Sequence, residues 1–405
     1  MSSVLLIIER NQQVLSLLYQ NNRLIQVKVH DKREEKTSSL TLGAIYIGKV
    51  KNVVPAIDAV FVEVCNGSMG FLPMKQAKNP IILNRKYDGR ILAGDEILVQ
   101  IEKEGIKTKD AGLTCNLSFS GKYLVLTTGK QGIGFSSKLD NKTKLLWKQK
   151  LEEWKIEDIL LKEKIGMVVR TNVAGLSIDG AISKEELEKL LEQKNKVLDS
   201  ASYRTCFSCL FRPIEGYLAG IRDTYEDSFD KIITDNKSVY ERIREEFPHM
   251  ENVELYEDSR ISLEKLYNVE TRLQEALAEK VWLKSGAYLI IQQTEALTVI
   301  DVNSGKIQKK KTKDDIYFEI NKEAAREIAL QLKLRNLSGI IVIDFINQNT
   351  KEQDSQLLAY LGSLVKKDSV KTNVIDMTPL GLVEVTRKKV HKSLREQLGR
   401  GIYDS

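Results

Sequence analysis

Histidine is nearly missing from this sequence: His30, His249 and His391 are the only three in 405 residues. None stands at a spacing that pairs it with a second histidine or with a nucleophile. The commonest general acid–base is therefore scarce, which favours carboxylates and metal ions as the tools of any chemistry. Cysteine is almost as sparse. Cys65, Cys115, Cys206 and Cys209 do not make a disulfide framework, which suits a reducing compartment. Cys206 and Cys209 form a lone CxxC. A structural zinc site needs four ligands, so two buried thiols are expected instead. Long apolar runs are absent as well. The run Val4–Ile8 ends at Glu9-Arg10, too short for a signal segment or a membrane span. A cytoplasmic protein without a membrane role is expected. There is no phosphate-cradling GxxxxGK[ST] loop, which lowers a kinase-like reading.

What is present is an ordinary globular balance. Hydrophobic residues make up 42% and charged residues 29%, which excludes a disordered chain. The length exceeds what one core serves, so roughly two to four domains are expected. The net charge of +6 favours a polyanionic partner without identifying one.

Local patterns divide the chain. Residues 1–30 read as the start of a sheet: VLLII, a turn at Asn21-Asn22, then LIQVKV. Residues 31–40 (DKREEKTSSL) are a polar linker. Residues 41–118 read as a small β-barrel, with short runs such as AIYIGKVKNVV, AVFVEV, GFLPM and EILVQIEKE between turn signals. Residues 119–211 are mixed: a strand pair (YLVLTT and IGFSSKL), a helix near Lys142–Glu153, a strand MVVRTNV and a charged helix over Lys184–Val197. Two amphipathic helices are expected around 237–247 and 262–280. Residues 286–400 read as α/β. Helix Phe318–Leu334 repeats Ile320, Ala324, Ile328 and Leu332 every four residues, and Gly339 is expected to stop it.

The sharpest feature is a pair of β-branched runs, ALTVID ending at Asp301 and IIVID ending at Asp344, with one amphipathic helix between them. Each run suits a strand buried on both faces. If the strands are parallel, both aspartates fall on one sheet edge, where open α/β sheets bind ligands. Magnesium suits such a site, because it takes oxygen ligands from one or two carboxylates, water and phosphate. Asn303 would add an amide oxygen or orient a carboxylate, and Lys306 would face a phosphate. Strand-end aspartates also begin turns and cap helices. Asp376, at a third strand end, reads as such a turn residue.

In the barrel, Val60, Val62 and Val64 share one strand face, which puts Phe61 on the opposite, polar face. An aromatic there suggests a base-stacking platform. Phe71 is a second stacking candidate or a core filler. Lys49, Lys51, Lys103 and Lys109 are candidate phosphate contacts or simply solvated. Arg170-Thr171 pairs a guanidinium with a hydroxyl, a combination that binds phosphate. The run Arg387-Lys388-Lys389 either tracks an RNA backbone or lines a solvated face.

Taken together, these residues resemble the ribonuclease E/G family of bacterial endoribonucleases. The most specific stretches are TEALTVIDVNSGK (294–306) and NKEAAREIALQLKLRNLSGIIVIDFI (321–346); GKVKNVVPAIDAVFVEV, GFLP and GLVEVTRKK support them. The resemblance implies an α+β multidomain fold. An RNase H-like subdomain (1–40 and 212–280) would be interrupted by an S1-type OB barrel (41–118) and a 5′-sensor region (119–211). A DNase I-like catalytic subdomain (281–405) would follow. It implies a magnesium-dependent endoribonuclease acting on single-stranded RNA, with one Mg2+ on Asp301 and Asp344 and Asn303 beside them. Phe61, Phe71 and Lys109 would contact RNA. Gly121, Val125, Arg170 and Thr171 would hold a 5′-monophosphate. Two sensor positions that are often arginine correspond to Lys371, which cannot make a bidentate fork, and to Ser137. The family's FIDM corresponds to Phe345-Ile346-Asn347-Gln348. No CPxC zinc-link motif follows GLVEVTRKK, so zinc is not expected, and a homodimer would form without that link. A non-catalytic RNA-binding protein using the barrel is the alternative.

Overall fold

A computed structural model describes residues 3–31, 40–65, 67–105, 110–175, 181–223, 229–305, 313–348 and 350–399. Most of the polar linker, and with it Lys109 and Lys306, lies outside the described residues. Contacts divide the chain into two units. One is Met1–His30 with Phe229–Ser405, and the other is Asp31–Ser228. Among the described residues no helix is long and apolar enough to cross a membrane.

The chain opens as a meander of β1 (Ser3–Arg10), β2 (Gln13–Gln20) and β3 (Arg23–Asp31). Both turns are two-residue links with positive φ, at Asn11-Gln12 and Asn21-Asn22, the geometry that matches strand twist. Only the second was read from the sequence.

The second unit begins with β4 (Ile45–Val54), β5 (Ala59–Cys65), β6 (Ser68–Pro73), β7 (Glu96–Lys103) and β8 (Ala111–Thr114). They pair in the order β4-β5-β6-β8-β7, and β7 returns to β4 through Ile45 opposite Gln100. The result is a closed five-strand barrel, which removes free sheet edges. Val60, Val62, Val64, Leu72, Ile97 and Leu113 fill its interior.

Next come β9 (Ser118–Ser120), β10 (Leu124–Thr127), β11 (Gly132–Phe135), α1 (Asn141–Glu153), α2 (Ile156–Glu163), β12 (Gly166–Val169), α3 (Ala181–Ala201), β13 (Cys209–Phe211) and α4 (Gly216–Arg222). The expected strand pair does not form, because β12 inserts between β10 and β11 in the order β11-β12-β10-β9. β11 and β12 run parallel, so the connection must cross over, and α1 and α2 supply it. That crossover buries Leu151, Ile156 and Leu160 in the same core as Met167 and Val169.

The first unit resumes with β14 (Lys231–Thr234), α5 (Lys237–Glu246), β15 (Val253–Leu255), α6 (Leu263–Leu266) and α7 (Val269–Leu277). β14 pairs in parallel with β1, Val4 opposite Lys231, and completes a sheet of order β15-β14-β1-β2-β3. Leu6, Leu15 and Leu17 share its core with Leu263 and Leu273 from the helices.

The final stretch holds β16 (Lys280–Trp282), β17 (Tyr288–Gln293), β18 (Leu297–Asn303), α8 (Lys313–Leu334), β19 (Gly339–Asp344), α9 (Lys351–Val365), β20 (Thr372–Met377), β21 (Leu382–Arg387) and α10 (Leu394–Leu398). Its sheet has the order β16-β17-β18-β19-β21-β20. Ile320, Ala324, Ile328 and Leu332 of α8 are all buried against it, as their spacing predicts, and α9 adds Leu357 and Leu361. α8 stops at Leu334 rather than at Gly339: Asn336 takes the left-handed turn (φ 49°), and Gly339 starts β19. The strands are not buried on both faces. In β18 and β19, Thr298, Ile300, Ile341 and Ile343 are buried, while Val299 and Ile340 on the other face are exposed. The helices cover one face only, and the β-branched residues of the other meet solvent.

Candidate active site

β18 and β19 run parallel, and their register sets Asp301 opposite Asp344. Adjacent strands lie about 4.8 Å apart, so the two carboxylates project side by side from the uncovered face. Asn303, two residues along the same face, donates from Nδ2 to Asp301 Oδ2 at 2.7 Å. Its amide therefore orients a carboxylate. Among the described residues neither aspartate is in an ion pair with a cation.

Two groups hold this edge in place: Asn321, which the sequence reading missed, and Gly305, which it read as part of a Ser304-Gly305 turn. Asn321 of α8 is fully buried. Its Nδ2 donates to the Ile346 carbonyl at 2.7 Å, and its Oδ1 accepts the Ile346 N–H at 3.1 Å. That pair of hydrogen bonds clips the loop after Asp344 to the helix. Its signal was an asparagine among the apolar and charged residues of an amphipathic helix, where burial is not expected. Gly305 has φ 62°, and a Cβ there would lie 2.3 Å from the Gly286 carbonyl oxygen. Only glycine lets the end of β18 lie so close to the β16–β17 turn.

Two carboxylates with an adjacent amide fit magnesium, which takes one or two carboxylates and keeps several waters for phosphate to replace. Among the described residues there is no cluster of three or more histidine, cysteine, aspartate or glutamate side chains that could hold a metal. Asp376 accepts the Met377 N–H at 2.8 Å, the local role expected of a turn aspartate. Arg387 does not track a polyanion. It is buried, and it donates to Asp368 Oδ2 (2.8 Å), Asn336 Oδ1 (2.8 Å) and the Leu337 carbonyl (3.0 Å).

In the second unit, Phe61 and Phe71 stand opposite each other on the outer barrel face, ring centroids 5.7 Å apart and edge to face. Phe71 is thus not a core filler, since Leu72 points inward in its place. The row continues through Gly112 to Lys103, which are cross-strand partners. A Cβ at Gly112 would lie 3.2 Å from the Lys103 Cβ, so glycine there lets the Lys103 stem lie across the strand. Lys51 is engaged with Glu63 at 2.6 Å.

Gly121, Val125, Arg170 and Thr171 also lie in this unit, while Lys371 is exposed on the other. The Gly121 N–H donates to the Leu124 carbonyl at 2.8 Å. Val125, half-buried in β10, stands opposite Val168. Arg170 donates to the Gly121 carbonyl (2.5 Å) and to Asp223 (2.8 Å). Burial works against the charge on Asp223, but Arg170 and Arg222 hold its carboxyl below the usual range. Thr171 shares a hydrogen bond with Ser136 at 3.0 Å. The sequence reading also missed Glu186. Its carboxylate accepts the N–H groups of Lys122 (2.5 Å), Tyr123 (2.9 Å) and Leu124 (2.8 Å). Burial pushes its carboxyl above the ordinary value, against the pull of those amides. Cys206 and Cys209 are half-buried rather than buried, and both are free thiols.

Comparison with known proteins adds a family. The model described as "Ribonuclease E/G family" matches residues 118–390. Ribonuclease G of Salmonella typhimurium is 31% identical over 390 residues, which is 92% of this chain and 77% of that protein. Ribonuclease G of Escherichia coli K12 gives the same identity and coverage. Ribonuclease E of Synechocystis is 32% identical over 376 residues, 90% of this chain and 54% of that longer protein.

Proposed function

Because the chain belongs to the ribonuclease E/G family and is an endoribonuclease of that type, we propose that it cuts single-stranded RNA with the help of one Mg2+ held by Asp301 and Asp344. The observation that carries this reading is the register that sets two carboxylates side by side, on a bare sheet face, with no cation among the described residues to neutralise them. Like charges this close repel each other, and a cation between them relieves that repulsion. When bound, magnesium supplies Lewis-acid chemistry: it polarises phosphate oxygens and lowers the pKa of water. Asn303 keeps the Asp301 carboxylate aimed, and Asn321 keeps the loop beyond Asp344 from drifting.

The rest of the reading follows the family. The five-strand barrel serves as an S1-type OB domain, with Phe61 and Phe71 stacking on bases and Lys103 and Lys109 meeting phosphates. The sheet that joins residues 1–40 to 212–280 is RNase H-like, and 281–405 is the DNase I-like catalytic part. Gly121, Val125, Arg170 and Thr171 receive a 5′-monophosphate. Arg170 would have to share its guanidinium with Asp223, which favours a weak sensor. A cytoplasmic site of action fits the free thiols.

Asp301→Asn tests the core of this. Magnesium-dependent cleavage of a single-stranded oligonucleotide should be lost while affinity for the uncut RNA is kept. Undiminished cleavage would sink the assignment. Binding without any cleavage by the intact protein would favour an RNA-binding role alone.

A further inference from the structure

The uncovered face of the catalytic sheet extends past the aspartates onto the β16–β17 hairpin. Cross-strand partners on that face run from Asp301 to Ile290 and Lys280, and from Asn303 to Tyr288 and Trp282. Trp282 is one of the most exposed large apolar residues of the chain, at 63%. Its ring packs edge to face on Tyr288, with centroids 5.2 Å apart. The Lys280 ammonium sits 4.0 Å from the Trp282 centroid and 3.9 Å from that of Tyr288. Barrel-type stacking residues drew attention in the sequence, but this hairpin did not.

We propose that Trp282, with Tyr288 and Lys280, forms a base-stacking subsite for a nucleotide a few positions along the RNA from the phosphodiester held at Asp301 and Asp344. The proposal rests on the nuclease reading above for its location. Trp282 stays largely open even with Tyr288 and Lys280 against it, and a nucleobase is the flat, amphipathic group that fits its free side. The adjacent ammonium supplies the matching charge for a backbone phosphate. Trp282 lies two strands from Asn303, about 10 Å, a reach of roughly three stacked nucleotides at about 3.4 Å each.

The hairpin is also held rigidly enough to serve as a platform. Its tip is pinned where the Lys284 N–H donates to Glu323 of α8 at 2.8 Å. The Gly286 turn is the one against which Gly305 packs, two residues beyond Asn303. The platform and the acidic edge are therefore fixed to each other through the close backbone approach of Gly305 to Gly286, and the Glu323 carboxylate adds a second tie to α8.

Equilibrium binding of the full chain to a single-stranded oligonucleotide without magnesium tests the subsite apart from catalysis. Trp282→Ala should weaken binding by about 5- to 100-fold, the range for one lost stacking contact, and Trp282→Phe should recover most of it. Because Trp282 is exposed, both variants should fold, which far-ultraviolet circular dichroism checks. An abasic nucleotide scanned across the oligonucleotide should weaken the wild type at one position near the cleavage site and leave Trp282→Ala unaffected there. Equal affinities for wild type and Trp282→Ala, or no such position, would overturn the subsite. A wild-type protein that binds with this pattern yet never cuts would overturn the nuclease reading and leave the subsite standing.

Discussion

At the end of the catalytic sheet where β19 begins, Asp368 meets the Arg387 guanidinium at 2.8 Å, and both side chains are almost fully enclosed. At the end where β19 finishes, Asp301 and Asp344 lie on the bare face, and among the described residues the Asn303 amide is the polar group bonded to them. The same sheet thus carries carboxylates in two states. One is neutralised within the fold, and its removal strands a buried charge. The other is left for something outside the chain to neutralise. The difference separates a residue that serves stability from one that serves chemistry, although both are aspartates close to strand ends.

The largest expected effect breaks the functional end. Asp301→Asn or Asp344→Asn should abolish magnesium-dependent cleavage and leave the melting temperature unchanged or raised, since like charges facing each other are relieved. A large stability loss in either variant would put these residues in the structural class and undo the contrast. At the clamped end, Asp368→Ala should cost about 3–5 kcal/mol of folding stability by leaving Arg387 buried and unpaired. Urea unfolding measures that loss. Folded Asp368→Ala protein should still cleave, and loss of cleavage there at full stability would erase the distinction. Asn303→Ala should lower the rate or the magnesium affinity by about 10- to 100-fold, as removal of an orienting partner does, with no comparable change in stability.

The smallest effect separates acid sensitivity from these carboxylates. His30, in the other sheet of the same unit, has its pKa pushed down from 6.5 to about 3 by burial, with Lys28 and His391 adding positive charge. The unfolded chain therefore takes up a proton that the folded one refuses. Stability from this group is complete above about pH 6.5 and is lost as pH falls toward 3, by at most about 1.4 kcal/mol per unit. Unfolding of His30→Phe across that window should show a shallower decline than wild type. An identical decline would assign the acid sensitivity elsewhere, the sheet carboxylates included.

How much of this was legible can be judged residue by residue. The four-residue repeat of α8 and the alternation of Val60, Val62 and Val64 marked buried faces correctly. The aspartates stood out because each closes a β-branched run. Their shared face also followed once β18 and β19 were taken as parallel. The claim that both faces of those strands are buried failed, because a run of valine and isoleucine reads the same whether one face or two are covered. Arg387 looked like one more member of a basic run, and nothing local distinguishes a buried arginine from its exposed neighbours Lys388 and Lys389. Asn321 left only a weak trace, an asparagine in an amphipathic helix, and Glu186 left none. Their importance lies in backbone groups they meet at distant positions.

Local order, then, was set within the sequence. The strand–helix–strand unit, the positions of Asp301, Asn303 and Asp344 on it, and the outward phase of Phe61 all follow from periodicities of 2 and 3.6 that neighbouring residues enforce. Tertiary structure decided which strands pair, in what register, and which face stays bare. It inserted β12 between β10 and β11, joined β14 to β1, and set Trp282 and Tyr288 on the same open face as the acidic pair. Those outcomes depend on contacts between residues far apart in the chain, whose free energies are comparable among many pairings until a whole core is packed.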